Sequence, residues 1–176
     1  AFNRIFELLD RFEVPTVAAV HGACLGGGLE VAIACDVIIA AQGASFGQPE
    51  IKLGFLPPYA AVRLPQLIGP AKAIEICTTG RKYPASAAQQ LGLVSQVVED
   101  QAFPAEVGKL IGEIQFCSPL ILRLNKLAVK KHLGMEPAKA LESVSDLFLN
   151  RLMKTEDTQE GIASFFGKRP PQWKNR

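Results

Sequence analysis

The chain has 176 residues, 48% of them apolar, and its 19 basic and 17 acidic side chains leave a net charge of +2. That length and apolar content suit a packed fold with a sizeable core and argue against disorder. The small charge gives no bulk affinity for nucleic acid, and neither a signal peptide nor an apolar run of transmembrane length is visible.

Four cysteines (Cys24, Cys35, Cys77 and Cys117) are widely spaced, with no CxxC or Cys/His metal spacing. They read as free thiols, three of them in buried apolar stretches, in a reducing compartment such as a bacterial cytoplasm. No metal site is expected.

The chain opens on a helical pattern, Phe2 to Phe12, with Phe2, Ile5, Phe6, Leu9 and Phe12 on one face. Pro15 breaks it, and Thr16–Val20 reads as a buried strand. The triple glycine Gly26-Gly27-Gly28 then leads into a helix, Leu29–Cys35. Asp36–Ala40 is a second buried strand and Ala44–Gly47 a short third one. The rhythm of strand, turn, helix and strand implies an α/β unit with partly parallel pairing. Residues 48–59 carry Pro49, Gly54, Pro57 and Pro58 and read as a loop. Helices are expected over 60–67, from Pro70 to Thr78 with Gly80 as the cap, and over 86–91. A strand follows at Leu93–Val98.

Beyond Pro104 the pattern is helical, over about 104–116, 119–133, 137–153 and 156–166. Ser118-Pro119 and Glu136-Pro137 open two of these helices, and Thr155 caps another ahead of Glu156 and Asp157. These helices carry more apolar residues than a small domain needs, among them Leu141, Phe148, Leu149, Phe165, Phe166 and Trp173, which points to a subunit interface. The tail KRPPQWKNR reads as an exposed end. Residues 1–100 thus form the α/β part and 101–176 a helical oligomerisation region.

Chemistry concentrates in two blocks. The amides opening the helix after Gly26-Gly27-Gly28 have no internal acceptor and suit an oxygen that becomes negative during a reaction. Glu30 stands in that helix among Leu29, Val31, Ala32 and Ile33, where an acid is costly unless paired or functional. Glu50 lies twenty positions on, at the end of a second extended segment. Two carboxylates beside one oxyanion site suggest acid–base work at a carbonyl compound.

The run GGGLEVAIACD followed by FGQPEIKLG resembles the signature blocks of the enoyl-CoA hydratase/isomerase, or crotonase-like, family in content, order and spacing. The similarity continues through Ile68-Gly69-Pro70, Thr79-Gly80-Arg81 and Ala88–Val94, and weakly to the region 161–169. It implies a crotonase-like ββα spiral core, present in part, followed by a C-terminal helical trimerisation region, with homotrimers or dimers of trimers. It further implies that the Gly27 amide, beside Gly26, forms half of an oxyanion hole for the thioester carbonyl of an acyl-CoA. Glu30 is then the base that activates water, and Glu50 the acid that protonates the α-carbon. Acyl-CoA is the substrate and no cofactor is required.

Two departures from the family pattern bear on this expectation. The second oxyanion amide of the family comes from a loop before residue 1, so the chain is expected to begin within the domain and to be inactive, or nearly so, by itself. The loop after Glu50, Gly54-Phe55-Leu56-Pro57-Pro58-Tyr59, is short and less glycine-rich, similar to hydratases of cyclic dienoyl-CoA thioesters. Leu25, Phe55 and Tyr59 are candidates for an acyl pocket. Arg81, Lys82, Lys168, Arg169 and Lys174 are candidates for the CoA phosphates, and His21 and His132 are expected to be structural. An isomerase remains an alternative, as does a non-catalytic assembly or RNA-binding protein on the same scaffold, which the low charge disfavours.

Overall fold

The structure is a computed structural model that describes residues 3–176. Parallel pairing starts where Thr16 meets Asp36. The Thr16 N–H and hydroxyl both donate to Asp36 Oδ2, at 2.8 and 2.9 Å, and the Asp36 N–H donates to Thr16 Oγ1 at 3.1 Å. This clasp aligns β1 (Val17–Val20) with β3 (Val37–Ala41), in the register Val17↔Val37 through Val20↔Ala40. It also explains why an acid interrupts an apolar run: Asp36 satisfies the Thr16 N–H and hydroxyl ahead of the first ladder bond. β6 (Gln96–Val98) adds parallel to the far side of β3, giving the order β1-β3-β6.

A second sheet was not foreseen. β2 (Ala23–Leu25) occupies what read as part of the glycine turn and pairs parallel with β4 (Ser45–Gly47). β5 (Tyr83–Pro84) completes that sheet in antiparallel register.

Between the strands runs α2 (Gly27–Ala34), with Leu29, Glu30, Ala32, Ile33 and Ala34 all buried. Leu29 and Ile33 are wholly inaccessible, and burial of such side chains is worth about 1.5–3 kcal/mol each. They join Phe46, Leu64 and Ile76 in one apolar cluster. Leu64 lies on α3 (Pro58–Ile68) and Ile76 on α4 (Pro70–Thr79). Gly80 takes the left-handed conformation expected of the cap of α4.

Several expectations are corrected. In α1 (Asn3–Arg11) Phe6 is buried and Leu9 partly so, whereas Ile5, with Phe12 just beyond the helix, is about half exposed. Phe2 lies outside the described residues. The segment 48–59 is not all loop: Pro49–Leu53 is a 3-10 turn closed by a left-handed Gly54, and α3 begins at Pro58. Glu50 therefore sits in a tight turn rather than at a strand end. Leu93 and Val94 are buried but do not belong to β6. Both their N–H groups donate to the Ala88 carbonyl, closing α5 (Ala85–Gln90).

The chain divides into two compact units. One comprises the residues up to Phe12 with Thr16–Lys109, and the other Glu13–Pro15 with Leu110–Arg176. α6 (Phe103–Gln115) precedes α7 (Pro119–Lys131) and α8 (Pro137–Asp146). The pattern expected to run as one helix to residue 153 changes at Leu147 into a π segment, Leu147–Arg151, and then a 3-10 turn, Leu152–Lys154. α9 (Glu156–Phe166) follows, capped by the Thr155 hydroxyl.

In the second unit the tail is tied down. Asp157 is 1% exposed and accepts from Ser118 Oγ at 2.5 Å, Lys174 N at 2.7 Å and Asn175 N at 3.1 Å. Burial opposes its charge, but these donors outweigh burial and hold the carboxyl below the usual aspartate range. Trp173 donates its indole N–H to the Phe116 carbonyl at 2.7 Å and packs on Gly161. It is thus engaged within its own unit, whereas Leu141, Phe148, Leu149, Phe165 and Phe166 stay exposed, the last two at 79% each. Among the described residues no helix is long and apolar enough to cross a membrane.

Candidate active site

Gly26 caps α2 with φ 56° and ψ −128°, a conformation reserved in practice for glycine. Its N–H donates to the Gly47 carbonyl at 3.0 Å, and its own carbonyl accepts the Glu30 N–H at 3.0 Å. Gly27 and Gly28 follow as the first two residues of the helix, whose N–H groups have no acceptor within it. Nothing stands within 4 Å of where a Cβ on Gly28 would lie.

Gly26 and Glu50 are brought together. A Cβ on Gly26 would collide with Glu50 Oε1, so the carboxylate rests directly on the glycine backbone. Gly47 is compelled in the same way: its Cβ would come 2.5 Å from the Arg81 carbonyl and 3.4 Å from Leu25 Cδ2. Leu25 therefore packs beside the strand that leads to Glu50.

Glu30 is 2% exposed, and its partners lie far off in sequence. Its Oε1 accepts the N–H groups of Tyr59 at 2.8 Å and Ala60 at 2.9 Å. These are orphan donors in the first turn of α3, whose N-cap, Pro57, offers no side-chain bond. Glu30 thus caps a helix other than its own, through Oε1 alone.

Cys77 lies on α4 and is partly buried. Burial is the chief cause that raises its thiol pKa, and the charges of Glu50 and Glu30 add to it. Cys24 is raised further by burial alone, to about 11.

Gln48 was not foreseen. It is fully buried, and with its amide nitrogen turned to Glu50 it donates to Oε2 at 2.7 Å and Oε1 at 3.2 Å. The opposite orientation leaves the amide oxygen facing only acceptors and the nitrogen facing only donors. The available signal was a polar residue directly after the extended run Ala44–Gly47, two positions before Glu50.

The remaining candidates scatter. Tyr59 stacks its ring on Phe6, centroids 4.2 Å apart, while Phe55 is 64% exposed. Phe6 and Tyr59 also line a groove of about 390 Å³ with Val62 and Arg63, which neither glutamate borders. Arg169 is paired with Glu160 at 2.8 Å and Lys174 with Glu156 at 3.2 Å, so both basic side chains already have acidic partners. Lys168 adopts a positive φ after α9, and Arg81 and Lys82 follow Gly80. His132 sets Nδ1 2.6 Å from the Ala128 carbonyl, and exposed His21 meets the edge of Phe103.

Comparison with known proteins gives the family and the fold. The family model described as enoyl-CoA hydratase/isomerase matches residues 1–176. The crotonyl-CoA hydratase of Syntrophomonas wolfei is 38% identical over 95% of this chain and 64% of its own length. A probable enoyl-CoA hydratase of Mycobacterium tuberculosis is 43% identical over 96% of this chain and 65% of its own. The chain therefore spans just under two thirds of these relatives. The solved enoyl-CoA hydratase of Bacillus anthracis superposes with a TM-score of 0.93 at 32% identity, covering 99% of this chain and 69% of that one. One from Geobacillus kaustophilus gives 0.90 at 37% identity, covering 99% and 68%. The mixed α/β architecture with its helical C-terminal region is the crotonase-like fold over the part spanned, and the chain belongs to the enoyl-CoA hydratase/isomerase family.

Proposed function

We propose that the protein adds water to an α,β-unsaturated acyl-CoA thioester. The observation that carries this reading is the seating of the Glu50 carboxylate on Gly26, with Glu30 four residues further along. The names of the relatives, crotonyl-CoA and enoyl-CoA hydratases, support the substrate class.

The thioester carbonyl draws electrons from the β-carbon, and its oxygen gains negative charge as water attacks. In this reading the Gly27 N–H, at the positive end of α2, donates to that oxygen; one such donor is worth roughly 3 kcal/mol. Glu30, with Oε1 held by Tyr59 and Ala60, takes the water proton on Oε2 as oxygen bonds to the β-carbon. Glu50 delivers a proton to the α-carbon. One proton is taken and one given, water is added across the double bond, and the change is redox-neutral, so no electron carrier is required.

The exposed Phe165 and Phe166, with Leu141 at 69% exposure, support self-association through the helical region, and the reading assigns a homotrimer or a dimer of trimers. The test is turnover of a panel of linear and cyclic enoyl thioesters by the full-length protein, followed by loss of the conjugated chromophore. Hydration by wild type, abolished separately by Glu30→Gln and Glu50→Gln, is expected. Retention of double-bond migration in Glu30→Gln would identify an isomerase instead.

A further inference from the structure

We infer that Arg63 positions Glu30 by pinning the far end of α2 to α3, an assignment that rests on the hydratase reading. It begins with the carbonyls at the end of α2, which have no acceptor role left inside the helix. The last turn of α2 contains no basic residue. Ile33 is wholly inaccessible, so water does not reach its carbonyl. The N–H that would continue the helix onto that carbonyl belongs to Val37, and it donates to the Thr16 carbonyl at 3.1 Å instead. The Cys35 N–H is likewise committed, to the Ala32 carbonyl at 3.2 Å. Arg63, half-buried on α3, fills the gap: its Nε–H donates to the Ile33 carbonyl at 3.3 Å. Its Nη1 donates to Gln66 Oε1 at 2.9 Å, which holds the plane of the guanidinium. A cation also suits the negative end of the α2 dipole.

The two helices are thereby joined twice. Near the start of each, Glu30 Oε1 accepts the Tyr59 and Ala60 N–H groups. About one turn further along each, Arg63 reaches Ile33. A single contact leaves α2 free to turn or slide about it; two contacts a turn apart fix both motions. In the hydratase reading Glu30 takes a proton from water, and displacing a reacting group by about 1 Å costs on the order of a hundredfold in rate. Arg63 touches neither the thioester nor the water in this account; it acts through the seat of Glu30.

Two measurements test this. In the chain as it stands, the Arg63 Nε–H is read by nitrogen-edited NMR and assigned by its loss in Arg63→Met. It is expected to exchange slowly with solvent. The Tyr59 and Ala60 amides are expected to exchange about tenfold faster in Arg63→Met, while the amides of β1 and β3 keep their wild-type rates. A rapidly exchanging Nε–H, or Tyr59 and Ala60 amides indifferent to the substitution, overturns the clasp.

In the full-length protein, Arg63→Met keeps the stem and removes every donor, and Arg63→Lys keeps the charge but has a methylene at the Nε position. Both are expected to lower kcat about tenfold or more with KM nearly unchanged, Arg63→Met the further. Arg63→Lys is the milder change and carries the comparison where Arg63→Met does not fold. Wild-type kcat in a folded variant, or a rise in KM in place of a fall in kcat, overturns the role. If wild type does not hydrate, the hydratase reading fails and the catalytic role falls with it, while amide exchange still decides the clasp.

Discussion

The Glu50 carboxylate occupies the space that a side chain on Gly26 would require. Gly26→Ala must displace Glu50 and also force a φ of 56° on a residue with a Cβ. Backbone strain of this kind costs roughly 1–3 kcal/mol. Urea denaturation should show that loss, and the full-length variant should lose hydratase turnover beyond what its folded fraction explains. Unchanged turnover would show that the space beside Gly26 is dispensable.

Glu30 has a mechanical duty separate from any chemistry. Glu30→Gln retains a carbonyl oxygen for the Tyr59 and Ala60 N–H groups, so the fold should survive while water addition falls about a hundredfold or more. Glu30→Ala removes the acceptor and leaves buried donors in the first turn of α3, at roughly 1–3 kcal/mol. Comparing the two by denaturation and by kinetics separates capping from base catalysis.

Asp157 should be the residue on which the tail depends. Asp157→Ala strands the Ser118 hydroxyl and the N–H groups of Lys174 and Asn175, a loss of about 3 kcal/mol in the second unit. Hydrogen exchange over residues 173–176 should quicken in step. Protection that persists would mean that Trp173 alone retains the tail.

The pair of Glu160 and Arg169 gives a pH signature. The hydrogen bond from Arg169, with one from the Gln172 N–H, lowers the Glu160 carboxyl from 4.5 to about 2. A carboxylate depressed in the folded state contributes stability above its unfolded pKa and loses it as pH falls toward the folded one. Wild type should therefore melt above Glu160→Gln near neutrality, with the gap closing between pH 4.5 and about 2. A gap independent of pH would refute the linkage.

The strands and helices that show in the sequence are those whose own residues decide them. The apolar runs beginning at Val17 and Val37 are strands, the second buried and the first buried only at Val20, and Pro70, Pro119 and Pro137 open helices where expected. β2 escaped because three residues beside a glycine turn have no periodicity; their pairing with Ser45–Gly47 is decided across the fold. The π segment at Leu147 escaped because its apolar spacing continues that of α8. In the site, Glu30 was legible as a buried acid in need of a partner. The partners lie 29 and 30 residues away as main-chain N–H groups, which have no letter in a sequence. Gln48 is an ordinary polar residue until burial removes every partner but its neighbours.

The thiols differ widely in what reagents can reach. Cys24 in β2 is buried with a pKa of about 11, so about one molecule in ten thousand is ionised there at neutrality. Cys117 is exposed. A maleimide dye should enter the native chain at Cys117 first, and its later uptake at Cys24 times how often the β2 layer breathes open.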